Sequence, residues 1–66
     1  MKYLVVLLTN SLDYILEWYD DYFVALEQAY KKGAFNLITL GCGAMPTYVI
    51  NKSSIIANYQ FHIKGR

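Results

Sequence analysis

The pattern of apolar and polar residues is clearest between residues 20 and 33, where it predicts a helix. Tyr22, Leu26 and Ala29 recur every three or four positions, which places them on one stripe of a helix with polar residues opposite. Such a stripe needs a surface to lie on. The segments on both sides are rich in β-branched and aromatic residues, so we expect a sheet with this helix packed across it.

Both ends of the predicted helix are marked by residues that satisfy its free backbone groups. Asp20 can accept hydrogen bonds from the first N–H groups, and Asp21 adds negative charge at the positive end of the helix dipole. Lys31 and Lys32 complement the other end, and Gly33 supplies the left-handed residue that commonly closes a helix. The helix is therefore predicted over about residues 21–32.

Strands are predicted on either side of this helix. Residues 2–9 are apolar on both alternating faces, which is typical of a central strand or of one at an interface. Residues 14–19, YILEWY, follow a turn and are rich in β-forming residues. Residues 34–40 and 47–50 give two further strands, separated by the turn-forming sequence GCGAMP.

The last predicted strand has the most regular alternation in the chain. Its apolar positions are Ile55, Ala57, Tyr59, Phe61 and Ile63. From residue 58 onward the intervening positions are polar, which predicts a strand with one buried and one wet face. Just before it, Asn51 is expected to cap a short turn over residues 52–54, and Ile55 to reach the core.

These elements predict one small α+β domain over residues 1–66. Its element order is ββαβββ, with an antiparallel sheet of four to five strands and one helix packed across it. The alternative is a single helix over residues 12–32, because apolar residues keep a 3.6-residue period through this range. The β-forming content of YILEWY and the like-charged pairs that Glu17 makes with Asp13 and Asp21 favour the hairpin and short helix.

Length and composition predict that apolar surface is left over after folding. A chain of 66 residues buries only about 60% of the surface that its unfolded form exposes. Hydrophobic residues make up 56% of this chain and aromatic residues 17%. We therefore expect a partner protein or a second copy of the chain to cover the remaining apolar surface.

The charges are segregated although the net charge is only +1. All five acidic residues lie between Asp13 and Glu27, and all six basic residues lie outside that range. The acids stand beside aromatic residues of the kind that commonly anchor interfaces. The predicted partner-binding residues are Tyr14, Glu17, Trp18, Asp20 and Asp21. The alternative is that the acids form a solvated helix entry and the aromatics cover the sheet.

The residues with reactive side chains do not indicate an enzyme. Cys42 and His62 are the only thiol and imidazole, and no neighbouring acid is placed to orient them as a nucleophile and base. His62 is predicted on the wet face of the last strand, as an ordinary surface histidine. The spacing of a phosphate-binding loop or a calcium loop is not present. We therefore expect no catalytic activity, no cofactor and no metal site.

Membrane and secretion signals are not expected from the apolar segments either. The run over residues 3–8 is shorter than a signal-peptide core of about 7–15 residues. The uncharged stretch from Gly33 to Asn51 is interrupted by glycine, asparagine and proline. A single cysteine suits a reducing compartment, so we expect a protein of the cytoplasm of a host cell.

Two segments resemble a pattern found in small proteins of phages and prophages. They are YVINKSSI, residues 48–55, and the preceding ALEQAYKKGAF, residues 25–35. In those proteins an amphipathic helix, a glycine, a strand and a hydrophobic-Ile-Asn-x-x-x-Ile segment build a compact α+β domain. Some phage proteins of this size are anti-defence inhibitors, including anti-CRISPR proteins. The resemblance therefore implies a protein that occupies the surface of a host defence effector.

The function expected from the sequence is thus a non-enzymatic protein-binding module, acting as a phage-type inhibitor. One alternative is a nucleic-acid-binding regulator that uses Lys52, His62, Lys64 and Arg66 beside strand aromatics. The few basic residues weaken that alternative, since binding to phosphates depends on them. The other alternative is a structural homo-oligomer, a homodimer in its simplest form, in which the first strand pairs or packs with its copy.

Overall fold

Four antiparallel strands and two helices make up the part of the chain that the computed structural model describes, residues 1–41 and 45–65. The strands are β1 (Lys2–Leu8), β2 (Tyr14–Tyr19), β3 (Asn36–Leu40) and β4 (Pro46–Asn51). The helices are α1 (Tyr22–Lys32) and α2 (Lys52–Tyr59), and a π-helical segment (Gln60–Lys64) continues α2. The predicted α+β class with an antiparallel sheet is confirmed. The alternative helix over residues 12–32 is wrong, because residues 14–19 form β2.

The strands lie in the order β2-β1-β3-β4, so β1 and β3 are central and β2 and β4 are the edges. Val5 of β1 pairs with Glu17 of β2 on one side and with Leu37 of β3 on the other. A register shift between Thr39 and Leu40 interrupts the pairing of β3 with β4. The apolar residues on both faces of β1 agree with its central position.

A tight loop connects β1 to β2. The Thr9 N–H donates to the Asp13 carbonyl oxygen over 2.8 Å, and the Leu12 N–H donates to the Thr9 carbonyl oxygen over 3.0 Å. Leu12 has φ +65°, the left-handed conformation that commonly completes a hairpin loop of this kind. Leucine adopts that conformation at a steric cost, because its Cβ crowds the neighbouring carbonyl.

Helix α1 begins after Asp21 and ends at Gly33. The Asp21 Oδ1 accepts hydrogen bonds from the Phe23 N–H over 2.8 Å and from the Val24 N–H over 3.2 Å. The prediction that Asp20 caps this helix is therefore wrong by one residue, because Asp21 is the extended residue directly before the first turn. Gly33 has φ +65° and closes the helix as predicted.

The predicted last strand is wrong, because residues 52–64 are helical. The Asn51 Oδ1 accepts from the Ser54 N–H over 2.9 Å, so the predicted cap is present but starts a helix instead of a short turn. Ile55, Tyr59 and Ile63 are four residues apart and contact the core from one side of this helix. Phe61, which an alternating strand would bury beside them, is 78% exposed.

The core lies between the two helices and one face of the sheet. Its buried cluster consists of Val5, Ala25, Leu26, Ala29, Ala34, Leu37, Ile50 and Ile55. Two small residues of this cluster, Ala25 and Ala29, lie on α1 and let that helix approach the sheet closely. The molecule measures 32 × 32 × 16 Å, and the short dimension matches one sheet and one layer of helices about 10 Å apart. The helices therefore cover a single face of the sheet.

Candidate functional site

The face of the sheet turned away from the helices is almost entirely apolar, and we refer to it as the open face. Side chains alternate along each strand, and the register of the pairs assigns nine apolar residues to this face. They are Leu4, Val6, Leu8, Tyr14, Leu16, Trp18, Ile38, Leu40 and Val49. Val6 and Leu40 are buried at 9% and 5% exposure, Leu4 and Ile38 are half-buried, and the other five are exposed.

The open face is contiguous across the whole sheet. Trp18 pairs with Leu4, Leu4 with Ile38, and Ile38 with Val49, so one row of apolar side chains runs from β2 to β4. Trp18 at one end of this row is 55% exposed and Val49 at the other end is 52% exposed. Scattered apolar residues on a protein surface are ordinary, but a contiguous patch marks a site of interaction.

Three polar residues share the open face, and each is engaged within the chain. The Lys2 Nζ donates to the Asp20 Oδ1 over 2.6 Å. The Asn36 Nδ2 donates to the Ile50 carbonyl oxygen over 3.3 Å, and Asn51 caps α2. What this face offers to another molecule is therefore mainly apolar contact area.

The structure divides the predicted partner-binding residues into two groups. Tyr14 and Trp18 lie together on the open face, as their shared parity in a strand predicts. The Tyr14 ring centroid lies 6.3 Å from that of Phe35, which extends the aromatic edge. Glu17 lies on the opposite face of β2, and Asp20 and Asp21 follow the strand. The five residues therefore do not form one aromatic and acidic patch.

Glu17 belongs to a small network that joins β2 to the end of α1. The Lys32 Nζ lies 2.8 and 2.9 Å from the two carboxylate oxygens, and the Tyr19 hydroxyl donates to Oε1 over 2.8 Å. The hydrogen bond from Lys32, with that from Tyr19, lowers the pKa of Glu17. Burial, with the Glu17 charge, raises the pKa of Tyr19, and the hydrogen bond to Glu17 raises that of Lys32.

The other two acids of the predicted site are also engaged in contacts within the chain. The ion pair with Lys2 lowers the pKa of the Asp20 carboxyl. Asp21 holds the first turn of α1 through its Oδ1. The charge of Asp20 is thus compensated within the chain, although its side chain stays 80% exposed beside the exposed aromatic residues of the predicted site.

His62 lies in the π-helical segment and not on a wet strand face, so that part of its prediction is wrong. Its ring centroid lies 6.1 Å from that of Phe23 and 4.9 Å from that of Phe61. It lines a shallow groove of about 340 Å³ beside the start of α1, together with Asp21 and Glu27. Both carboxylates are engaged: Asp21 caps the helix, and Glu27 pairs with Lys31 over 3.0 Å.

Two residues of the predicted chemistry, Cys42 and Arg66, lie outside the described residues, as does half of the predicted GCGAMP break. Within residues 1–41 and 45–65, no three His, Cys, Asp or Glu side chains are placed to hold a metal ion together. In the same part of the chain, no helix has both the length and the apolar character needed to cross a membrane.

Comparisons with protein-family models, with curated proteins and with solved structures give no match to this chain. Interpretation of the open face therefore depends on its own geometry. The predicted site lacked the aliphatic residues of this face, among them Leu4, Leu16, Ile38 and Val49. The apolar residues on both faces of β1 indicate Leu4, because a strand with a single core needs only one apolar face. The other three join this face through the register of the strands.

Proposed function

We propose that the protein is a protein-binding module without catalytic activity and that the open face is its binding surface. The observation that supports this is the uninterrupted apolar row from Trp18 to Val49. Covering this row removes apolar surface from water, which is the main favourable term in protein association. Trp18 and Tyr14 add large rigid rings of the kind that commonly supply most of the binding energy at an interface.

The resemblance to small phage proteins gives this proposal a specific form. A flat apolar face suits an inhibitor that covers a host defence effector, because occlusion requires contact area and no catalytic group. In this form the protein acts in the cytoplasm of the host cell, as anti-CRISPR proteins do. Nucleic-acid binding is less favoured, since Lys2 is the only basic residue that the described part of the chain places on the open face, and it is paired with Asp20.

Two neighbouring residues of β2 provide a matched pair of variants. Leu16 lies on the open face and is 53% exposed, whereas Ile15 lies on the opposite face and is 47% exposed. Leu16→Lys places a charge in the proposed interface, and Ile15→Lys places the same charge outside it. We expect Leu16→Lys to lower the yield of co-purified protein partner, and Ile15→Lys to leave that yield unchanged.

The inhibitor role is tested separately in cells that carry a panel of CRISPR effectors. Expression of the unaltered chain or of Ile15→Lys should raise the plaque count of a targeted phage, and Leu16→Lys should not. Unchanged plaque counts for all three chains would contradict the inhibitor role. Equal partner binding by Leu16→Lys and Ile15→Lys, with both variants folded by circular dichroism, would contradict the open face as the binding surface.

A further inference from the structure

We infer that the open face takes a second copy of this chain, packed face to face about a twofold axis parallel to the strands. This inference rests on the proposed function, because it concerns the same binding surface, for which a second copy and a host effector would compete. The product is a four-layer arrangement in which two sheets meet at the centre and the helices lie outside. Sheets packed in this way align to within about 30°.

The charge distribution favours a second copy as the occupant. In a twofold interface the same patch is used on both chains, so charged groups of like sign are brought towards each other. Among residues 1–41 and 45–65, the open face has one charged residue, Lys2, and its charge is compensated by Asp20 at 2.6 Å. Self-association therefore places no uncompensated charge in the interface, whereas a strongly charged partner would find no complementary groups there.

The shape of the open face selects the direction of the twofold axis. Edge strand β2 carries the bulky Tyr14, Leu16 and Trp18, whereas edge strand β4 carries Val49 and the short Asn51 on this face. An axis parallel to the strands places β2 of one chain over β4 of the other, so large side chains meet small ones. An axis perpendicular to the strands places β2 over β2 and leaves a gap at β4.

The register then assigns the contacts between the two chains. An axis parallel to the strands preserves each row of paired residues, so Trp18 lies over Val49 of the second copy. In the same row Leu4 lies over Ile38 of the second copy. Both contacts occur twice in the dimer. Trp18, the only tryptophan of the chain, moves from water into the interface when the dimer forms.

The area of the open face indicates a reversible dimer. Strands about 4.8 Å apart and about six residues long give about 400 Å² in plan for each copy, and projecting side chains enlarge the area that is buried. This plan area is about half of the roughly 800 Å² per partner of a standard interface, and it is typical of weak, transient contacts. We therefore expect the dimer to dissociate in the micromolar range of concentration.

Sedimentation equilibrium and Trp18 fluorescence of the full chain test this inference over a dilution series. We expect the mass to rise from 7.6 kDa towards twice that value, with a parallel blue shift of the emission. Leu16→Lys and Val49→Lys should hold the mass at the monomer value, and Ile15→Lys should dimerise as the unaltered chain does. A chain that stays at 7.6 kDa with constant emission at all concentrations would overturn the inference.

Cross-linking with a short bismaleimide tests the direction of the axis in a Cys42→Ser background. A mixture of Trp18→Cys and Val49→Cys chains should cross-link to each other, since these positions lie about 10 Å apart across the sheets. Trp18→Cys alone should not cross-link to itself. Its two copies are separated by three strand spacings along the sheet and by the distance between the sheets, which together give about 17 Å. Efficient cross-linking of Trp18→Cys to itself would overturn the proposed packing.

The outcomes separate this inference from the proposed function. A strict monomer whose capture of another protein is abolished by Leu16→Lys and retained by Ile15→Lys contradicts the second copy and supports the binding surface. A dimer that persists in both Leu16→Lys and Val49→Lys contradicts the inference. If these two variants also bind the protein partner as strongly as Ile15→Lys does, the proposed function is contradicted too.

Discussion

Tyr30 of α1 and Tyr59 of α2 stack with their ring centroids 3.9 Å apart and their planes 3° from parallel. The contact joins the two helices beside the core residue Ile55. Tyr59→Ala removes the stacked ring and should lower the free energy of unfolding by about 1–2 kcal/mol, less than for a fully buried ring. Urea unfolding followed by circular dichroism measures this loss. Tyr59→Phe keeps the ring and is the control; equal losses for the two variants would contradict a role for stacking.

The left-handed conformation of Leu12 is a local source of strain in the hairpin loop. Asparagine tolerates this conformation better than leucine, so Leu12→Asn should raise the free energy of unfolding by about 0.5–1 kcal/mol. Leu12 is exposed, so little packing is lost. Leu12→Val, with a β-branched side chain, should lower the stability instead. A shift of the urea midpoint in the same direction for Leu12→Asn and Leu12→Val would contradict the presence of strain at this position.

The ion pair between Glu17 and Lys32 should make stability depend on pH at both ends of its range. The folded chain lowers the pKa of Glu17 from 4.5, so its contribution is complete above that value and is lost as the pH falls through the lowered pKa. The folded chain raises the pKa of Lys32 from 10.5, so its contribution is complete below that value and is lost at more alkaline pH.

Comparison with Glu17→Gln measures this contribution. The unaltered chain should be the more stable of the two at neutral pH by a small margin, because the pair is partly exposed and screened by solvent. The difference should shrink as the pH is lowered below 4.5. A difference that stays constant down to the acid transition would show that the ion pair is not its source.

Association through the open face should be nearly independent of salt. Apolar burial is not screened by ions, so the dissociation constant should change by less than about threefold between low and high ionic strength. Trp18→Ala should weaken association by about tenfold or more, since a buried tryptophan is a common interface anchor. Marked weakening by salt, with little effect of Trp18→Ala, would instead favour the acidic surface predicted from the sequence.

The sequence predicted the first four strands and α1, because local chemistry decides them. Asp21 and Gly33 mark the ends of α1, and β1 is apolar on both faces as a central strand allows. The choice between Asp20 and Asp21 as the cap depends on where the extended backbone ends. Sequence spacing does not resolve that to one residue.

The last segment was mispredicted because two periods coincide in it. Ile55, Tyr59 and Ile63 are four residues apart, a spacing that fits both an alternating strand and a row along a helix. Ala57 and Phe61 completed the alternating pattern, although both are exposed in the helical structure. Packing of this segment against the core selected the helix, and sequence alone gave no measure of that packing.

The candidate site was predicted only in its aromatic part, because contacts between distant residues decided the rest. Glu17 meets Lys32 across 15 positions of sequence, and Lys2 meets Asp20 across 18. Neither pairing follows from a local pattern. The position of Trp18 beside Leu4 depends likewise on the register of two strands.

The one-sided covering of the sheet also affects how the isolated chain responds to heat. Apolar side chains of the open face are hydrated before unfolding begins, so unfolding exposes less new apolar surface than in a domain covered on both sides. The heat-capacity increment of the monomer should therefore lie below the usual ~12–15 cal/mol/K per residue. A low increment flattens the curve of stability against temperature, so the lone chain melts over a broad interval and resists cold denaturation.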